Sequence, residues 1–341
     1  MKVLTVSVKR LLVFFSLLTF CSTFALGASV QEKGKQEKVS DAERKAAQKI
    51  DDAKDTTAKI AAANEFVNKY PKSSLRPKIA ELLVAQISNT QDIAQRISFA
   101  ESYLGAFSEA SETKPIYPVL IEAYISAKRV DDAFNAAAPW LELNPNEADV
   151  LYLLSVTGID EARRQNPKHL KQSEQYGLKA IELIEADKRP ESYTVEQWNK
   201  DKAQWLPQLY QSMGLVSLMS GNNTDALAKL QKAVALNPND PFNFVLLSKI
   251  KNDQYMAGAK QLQGVPASPT RTETEKKLTA QLDEVIELYA HAIGLMEGKP
   301  QFQPLRDQLL PDLTSYYKYR HNNSTDGMQE LINKYKQPTT P

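Results

Sequence analysis

Hydrophobic and polar residues fall into helix-length segments almost without interruption from residue 41 onward. Strand-like alternation of any length does not occur. The predicted helices span 41–54, 56–69, 75–88, 91–106, 115–127, 130–143, 147–165, 169–186, 195–220, 224–236, 241–255, 273–297, 302–320 and 325–336. Glycine is scarce, at twelve residues, which also favours helix because glycine loses the most backbone entropy on folding. The pattern therefore predicts an all-α fold.

Short links join these helices in pairs, which indicates antiparallel helix hairpins. In one link, at 220–227, Gly221 can adopt the left-handed conformation after a helix end, and Asn223 or Thr224 can cap the next helix. The pairs end at similar signals that contain proline, namely KYPKS at 69–73, ELNPNE at 142–147 and ALNPND at 235–240. A helix pair that recurs in this way is typical of a solenoid.

One unit, residues 207–238, shows the repeat most clearly. Its bulky and small residues follow a fixed order, which is Tyr210, Met213, Gly214, Ala226, Leu230 and Ala233, closed by Pro238. Two helices can pack closely only where small side chains lie at their crossing, so we expect Gly214 to face Ala226. The unit resembles the tetratricopeptide repeat (TPR), and Ser217 departs from that pattern at a position that is usually bulky.

The resemblance implies a right-handed α-solenoid of stacked antiparallel helix hairpins, with a groove lined by the first helix of each hairpin. Proteins of this kind bind a peptide or helix of another protein in that groove. The groove-facing residues implied here are Gln208, Gln211, Leu215, Leu218, Phe242, Val245, Lys249 and Asn252. This set is largely neutral and lacks the Lys/Asn/Arg clamp that some TPR proteins use for a C-terminal carboxylate. We therefore expect an apolar and amide-rich groove for an extended or helical partner segment.

The sequence predicts six segments along the chain. They are a signal peptide at 1–27, a disordered linker at 28–39, TPR-like repeats at 40–261, a linker rich in Pro, Ser and Thr at 262–272, a C-terminal helical cap at 273–336 and a disordered tail at 337–341. Within the repeats, Pro207 is expected to kink one helix unless that helix begins there.

The N-terminus has the composition of a secretory signal. Lys2, Lys9 and Arg10 precede the apolar run 11–26, and small residues follow at 25–29. A helix over the 16 apolar residues would be roughly 24 Å long, which is short for a bilayer core. The chain is thus expected to be exported, either to the periplasm or out of the cell. A retained anchor helix and a lipid attached at Cys21 are the alternatives.

Charge and cysteine content narrow the classes of partner. The chain carries 42 basic and 41 acidic residues, so neither nucleic acid nor an anionic membrane surface is indicated. No membrane span is expected after removal of the signal. Since Cys21 is the one cysteine, removal of the signal would also leave no thiol for redox catalysis or for a metal site.

Motifs for catalysis, cofactors or metals are not apparent. The sequence has no glycine-rich phosphate loop, HExxH, GxSxG, CxxC or EF-hand loop. The histidines His169, His291 and His321 are far apart, and we expect them on the surface or at helix ends. An SxxK pair, Ser315 and Lys318, lacks the companion motifs of penicillin-recognising enzymes. No catalytic, cofactor-binding or metal-binding residue is therefore predicted.

Aromatic residues near the C-terminus allow two interpretations. Tyr316, Tyr317 and Tyr319 lie beside Arg320 and His321 and could form a recognition patch. The favoured alternative places Tyr316 or Tyr319 in the core, with the others at its edge.

Taken together, these features favour an exported, non-catalytic scaffold or adaptor that binds another protein, with envelope assembly as one role. An enzyme with a scattered active site and an obligate structural subunit of an envelope complex are the alternatives.

Overall fold

The computed structural model describes residues 39–190 and 193–337. These residues are helical with no strand, and they divide into two compact units, one ending at Pro145 and the other beginning at Asn146. The predicted all-α fold is confirmed. The predicted signal peptide, the linker up to residue 38 and the tail from residue 338 lie outside the described residues.

The N-terminal unit consists of three helix hairpins and one extra helical turn. Its helices are α1 (Asp41–Asp51), α2 (Thr56–Lys69), α3 (Arg76–Ser88), α4 (Ile93–Ala106), α5 (Ala110–Thr113), α6 (Ile116–Ser126) and α7 (Val130–Leu143). Helix α1 packs on α2, α3 on α4, and α6 on α7. The hairpins also stack on one another, since α2 contacts both α3 and α4, and α4 contacts α6.

Several of these helices begin next to a residue whose side chain caps the helix. Ser40 and Glu43 form a capping box, in which the Ser40 hydroxyl accepts from the Glu43 amide and the Glu43 carboxylate accepts from the Ser40 amide. Asp55 and Asp92 cap α2 and α4 without a reciprocal bond, each through a side-chain oxygen that accepts from the amide three residues later. Each cap provides a partner for a backbone N–H that the helix leaves free.

The C-terminal unit continues the pairing. Its helices are α8 (Ala148–Arg163), α9 (Leu170–Glu185), α10 (Val195–Met219), α11 (Asn223–Leu236), α12 (Pro241–Leu262), α13 (Pro269–Met296), a 3-10 turn (Pro300–Phe302), α14 (Gln303–Arg320) and α15 (Met328–Asn333). The hairpins are α8 with α9, α10 with α11, and α12 with α13, and both α14 and α15 pack on α13. The predicted antiparallel hairpins are thus present in both units.

Glycine at position 214 allows α10 and α11 to approach closely. A Cβ atom there would lie 2.8 Å from Leu230 Cγ and 3.5 Å from the Ala226 carbonyl oxygen. Ala226, Leu230 and Ala233 are fully buried. The small residues of the predicted repeat therefore lie where the helices meet, with Leu230 as the nearest neighbour of Gly214.

The turn between α10 and α11 follows the prediction in one respect and differs in another. Gly221 has a φ of +77°, as expected after a helix end. The cap of α11 is Asn222, whose side chain accepts from the Asp225 amide at 3.2 Å, and not Asn223 or Thr224. Helix α10 ends at Met219 and α11 begins at Asn223, so the turn lies one residue earlier in the chain than predicted.

Two helix ends differ from the predicted positions around the segment 262–272. Helix α12 continues to Leu262, and α13 begins at Pro269, where the Ser268 side chain accepts from the Arg271 amide at 3.1 Å. Proline is compatible with the first position of a helix, and Pro269 occupies that position in α13. The Pro-rich composition therefore indicated where the turn lies, but the turn is shorter than the predicted linker. The long helix α13 packs on α12 as well as on α14.

Helix α10 is continuous through Pro207, which lies inside it and is buried. The helix begins twelve residues earlier, at Val195, where the Thr194 hydroxyl accepts from the Gln197 amide at 3.2 Å. Since proline has no N–H, one intrahelical hydrogen bond is missing there.

Candidate functional site

An open cleft of about 290 Å³ lies in the N-terminal unit, lined by α1, α2 and α3. We call it the α1–α3 cleft. Its apolar lining residues are Ala47, Ile50, Leu75, Ile79, Leu82 and Leu83, and its polar ones are Asp51, Lys59, Lys78 and Gln86. Helices α1 and α3 are the first helices of consecutive hairpins, and both pack on α2. The cleft therefore occupies the kind of position at which a TPR-like groove is expected.

Leu82 is the most exposed apolar side chain of the cleft. It is 52% exposed, whereas its neighbours Leu83 and Ile79 are 2% and 6% exposed. Leu83 and Ile79 point into the helix packing and form the floor, while Leu82 stands in water beside them. An apolar side chain exposed in a concave surface is a feature of binding sites for apolar partner groups.

Charged residues lie at the rim of the cleft. Lys59 and Lys78 form no ion pair with any described residue, and Asp51 is the acidic residue that lines the same cleft. Gln86 is held differently, since its side-chain nitrogen donates to the Thr56 hydroxyl at 2.8 Å. Two lysines against one carboxylate make this rim net positive.

The predicted groove residues on α10 are largely engaged within the C-terminal unit. Gln208 accepts a hydrogen bond from the Tyr152 hydroxyl. Gln211 donates to the carboxylate of Asp240 at 2.8 Å and to the side-chain oxygen of Asn243 at 2.9 Å.

Leu215 and Leu218, one and two turns further along, are half-buried. Leu218 packs against the core formed by α11 and α12.

The predicted groove residues on α12 are partly covered by the C-terminal helices. Phe242 packs edge-to-face on Phe302, with ring centroids 5.6 Å apart. The Asn252 side-chain oxygen accepts from the Tyr316 hydroxyl at 2.8 Å.

Val245 packs against the core formed by α13 and α14, and Lys249 is exposed and pairs with Asp253 at 3.1 Å. The binding role of all eight groove residues stays a prediction.

A cluster of aromatic rings lies near two carboxylates, Asp149 of α8 and Asp201 of α10. Tyr152 stacks on Trp205, with ring centroids 5.1 Å apart, and Tyr193 packs edge-on to Trp205, with ring centroids 6.0 Å apart. The Tyr193 hydroxyl donates to Asp149 at 3.3 Å. Burial raises the pKa of Asp201, and the charge of Asp149 adds to that rise. The charge of Lys200 acts against this rise, so burial is its main cause.

The histidines differ from the prediction in one case. His291 is not a surface or helix-end residue: it lies between Phe244 and Tyr335, with ring centroids 3.6 and 3.9 Å away. His169 and His321 lie at helix ends, as expected. Burial lowers the pKa of His291 to about 4.

The tyrosines near the C-terminus also differ from the prediction. Tyr317 is the core residue, at 6% exposure, whereas Tyr319 is 76% exposed. Tyr316 is half-buried. Their positions on α14 explain this, because Tyr317 shares a face with Leu313, which is also buried.

Across 39–190 and 193–337, three or more His, Cys, Asp or Glu side chains do not come together in a way that could hold a metal ion. Every helix in the same described ranges is too short or too polar to cross a lipid bilayer.

Sequence reasoning did not identify the α1–α3 cleft. One signal was available: Leu82, Leu83 and Val84 are consecutive, and a helix cannot bury three successive side chains on a single face. Which of the three would be exposed depends on contacts of α3 with distant helices.

The chain matches no family model and no curated protein. Solved structures to which it is similar include a tetratricopeptide repeat protein from Parabacteroides merdae, with 15% identity over 80% of this chain and 100% of that chain, and a TM-score of 0.31. Another is the apo form of RapI, with 13% identity over 86% of this chain and 99% of that chain, and a TM-score of 0.33. We base no assignment of function on similarity at this level.

Proposed function

We propose that this protein is a non-catalytic scaffold that binds a segment of another protein in the α1–α3 cleft. The observation that carries the proposal is Leu82, which is 52% exposed beside the buried apolar floor. A partner segment that covers this side chain would gain about 1 kcal/mol, which is part of the benefit of burying a leucine completely.

The rim of the cleft suggests the chemistry of the partner. Lys59 and Lys78 lie at the rim without an ion pair in the described chain, so the partner segment should place acidic side chains there. We therefore expect a segment that combines apolar side chains for the floor with Asp or Glu at its edges.

Site-specific photocrosslinking in native cell extracts tests this proposal. A photoreactive amino acid at position 82 is expected to capture a segment with apolar and acidic residues. The matched control carries the same group at Leu143, which is 80% exposed in the same unit but away from the cleft lining. Capture of a basic segment at position 82, or equal capture at both positions, contradicts the proposal.

Substitutions separate this cleft from the groove predicted on α10 and α12. Leu82→Asp should reduce recovery of the crosslinked partner in pull-downs, while Leu143→Asp should not. The alternative site predicts the reverse, namely that Leu215→Ala and Phe242→Ala abolish recovery while the fold is preserved.

We also propose that the protein is exported, which the basic and apolar N-terminus supports, and that it acts in envelope assembly. N-terminal sequencing of the mature protein should begin at Ala28, and cell fractionation should place it outside the cytoplasm. A mature protein that still begins at Met1 in the membrane fraction would favour the retained anchor.

The alternative of an obligate subunit has its own test. If the purified chain is a stable monomer at micromolar concentration in size-exclusion chromatography, a subunit that exists only within a larger complex is contradicted.

A further inference from the structure

The last described residues of the chain fold back onto the C-terminal unit. We call residues 327–337 the C-terminal segment; it contains α15, and its helix packs on α13. Ile332 is its one side chain that is fully buried, at 1% exposure, whereas Met328 and Leu331 are partly buried. Six residues are too few for a stable isolated helix, so docking holds this helix in shape.

One face of α13 receives the C-terminal segment. Glu287, His291 and Gly294 follow one another at helical spacing, and we call them the α13 site. A Cβ atom on Gly294 would lie 2.5 Å from the Ile332 carbonyl oxygen and 2.9 Å from Tyr335 Cβ. The backbone of the segment thus rests where α13 has no side chain.

Polar contacts orient the segment on this face. Lys334 forms an ion pair with Glu287 at 2.6 Å, and the Tyr335 hydroxyl donates to the same carboxylate. Burial alone would raise the pKa of Glu287, but these two partners outweigh it and lower that pKa. The carboxylate is therefore charged when it meets Lys334.

Tyr335 also completes a stack of rings. His291 lies between Phe244 of α12 and Tyr335 of the segment. Beyond this stack, the Gln337 side chain donates to Asn239 at 2.8 Å. Within a few residues, the segment therefore makes four kinds of contact: a buried aliphatic side chain, an ion pair, a stacked ring and an amide hydrogen bond. Peptide ligands are recognised by contacts of these kinds.

We propose that the α13 site is a peptide-binding site whose occupant is the chain's own C-terminal segment, docked reversibly. The segment buries one side chain completely, so it can detach while the α12–α13 hairpin stays folded. The tether keeps its local concentration high and the site mostly filled. The site selects a short helix with an Ile, followed by a turn with Lys and Tyr at the spacing of 332, 334 and 335. This proposal is independent of the α1–α3 cleft.

A full-length variant tests the proposal by emptying the site. Ile332→Asp should release the segment, and a fluorescent peptide of residues 326–337 should then bind in trans with a rise in anisotropy. Wild-type protein should bind the peptide about tenfold more weakly or worse, because its site is filled.

Glycine substitutions in the Ile332→Asp background show where the peptide binds. Gly294→Ala should weaken peptide binding by about tenfold or more, because the added Cβ blocks the backbone of the ligand. Gly105→Ala is the matched control, since a Cβ there meets nothing within 4 Å, and it should leave binding unchanged.

Hydrogen exchange on the unmodified chain gives a second measurement. The amides of Leu331 and Lys334, which bond within the segment, should exchange well before those in the middle of α13. If the amides of the C-terminal segment and those in the middle of α13 exchange together in one step, the proposal is overturned. A folded Ile332→Asp protein that does not bind the peptide also overturns it, as does an Ile332→Asp protein that circular dichroism shows to be unfolded.

Discussion

Arg76 and Glu112 form a two-point ion pair while both side chains are more than nine-tenths buried. Arg76 Nε and Nη2 lie 2.9 and 2.8 Å from the two carboxylate oxygens, and the Tyr103 hydroxyl donates to the Glu112 carbonyl at 2.9 Å. The contact joins the start of α3 to α5, so it fixes the short extra turn between the second and third hairpins.

Removing one partner of this pair should be strongly destabilising. Glu112→Leu leaves the buried Arg76 charge with the Pro71 carbonyl as a hydrogen-bond acceptor but without a carboxylate to balance it, and we expect a loss of about 3–5 kcal/mol in the free energy of unfolding. The exposed pair Arg129 and Asp132 provides the control, and Asp132→Asn should cost less than about 1 kcal/mol. Urea denaturation measures both, and equal losses would contradict the argument from burial.

Gly214→Ala should lower stability even though alanine is the better helix former. The new Cβ would stand 2.8 Å from Leu230, and overpacking of this kind costs about 1–3 kcal/mol, against roughly 1 kcal/mol gained in helix propensity. Gly105→Ala adds the same group in open space and should be neutral or stabilising. A lower melting temperature for Gly214→Ala than for Gly105→Ala is the expected result.

Substitutions at two adjacent leucines of the α1–α3 cleft should differ in their effect on the free energy of unfolding. Leu83→Ala removes a buried side chain and should cost about 2–5 kcal/mol. Leu82→Ala removes a side chain that is half in water and should cost less than about 1 kcal/mol. Chemical denaturation of the two variants is the measurement. A large loss for Leu82→Ala would mean that this residue belongs to the core and not to a binding surface.

His291 should make stability depend on pH below neutrality. Burial lowers its pKa to about 4 in the folded chain, while the charge of Glu287 acts against this and that of Lys334 acts with it. The unfolded chain binds a proton near pH 6.5 and the folded chain only near pH 4, so stability falls as the pH falls between these values.

His291→Phe keeps an aromatic ring in the stack and removes the titration. Between pH 7 and pH 5 the urea midpoint of this variant should fall less than that of the wild type. Parallel curves for the two proteins would show that His291 is accessible to protons in the folded state.

The sequence was informative where structure depends on local signals. The helices and the small residues at Gly214 and Ala226 were predictable, because periodicity, capping and close helix crossings depend on residues within a few helical turns of one another. The end of α12 at Leu262 was not, since a Pro-rich stretch is compatible with either a linker or a hairpin turn.

Features that depend on distant contacts were not predictable. The covering of Phe242 by Phe302 and of Asn252 by Tyr316 joins residues about 60 positions apart, and no repeat pattern encodes it. The exposure of Leu82 likewise depends on where α1 packs. These are the contacts that decide which parts of a repeat surface remain open to a partner.

The turn between α12 and α13 is a suitable site for inserting a tag. Residues 263–268 are all exposed, and an insertion there would extend into solvent without displacing a packed side chain. An affinity tag or a fluorescent domain can therefore be placed at this turn, leaving both chain ends in their native form for studies of export and of the docked C-terminus.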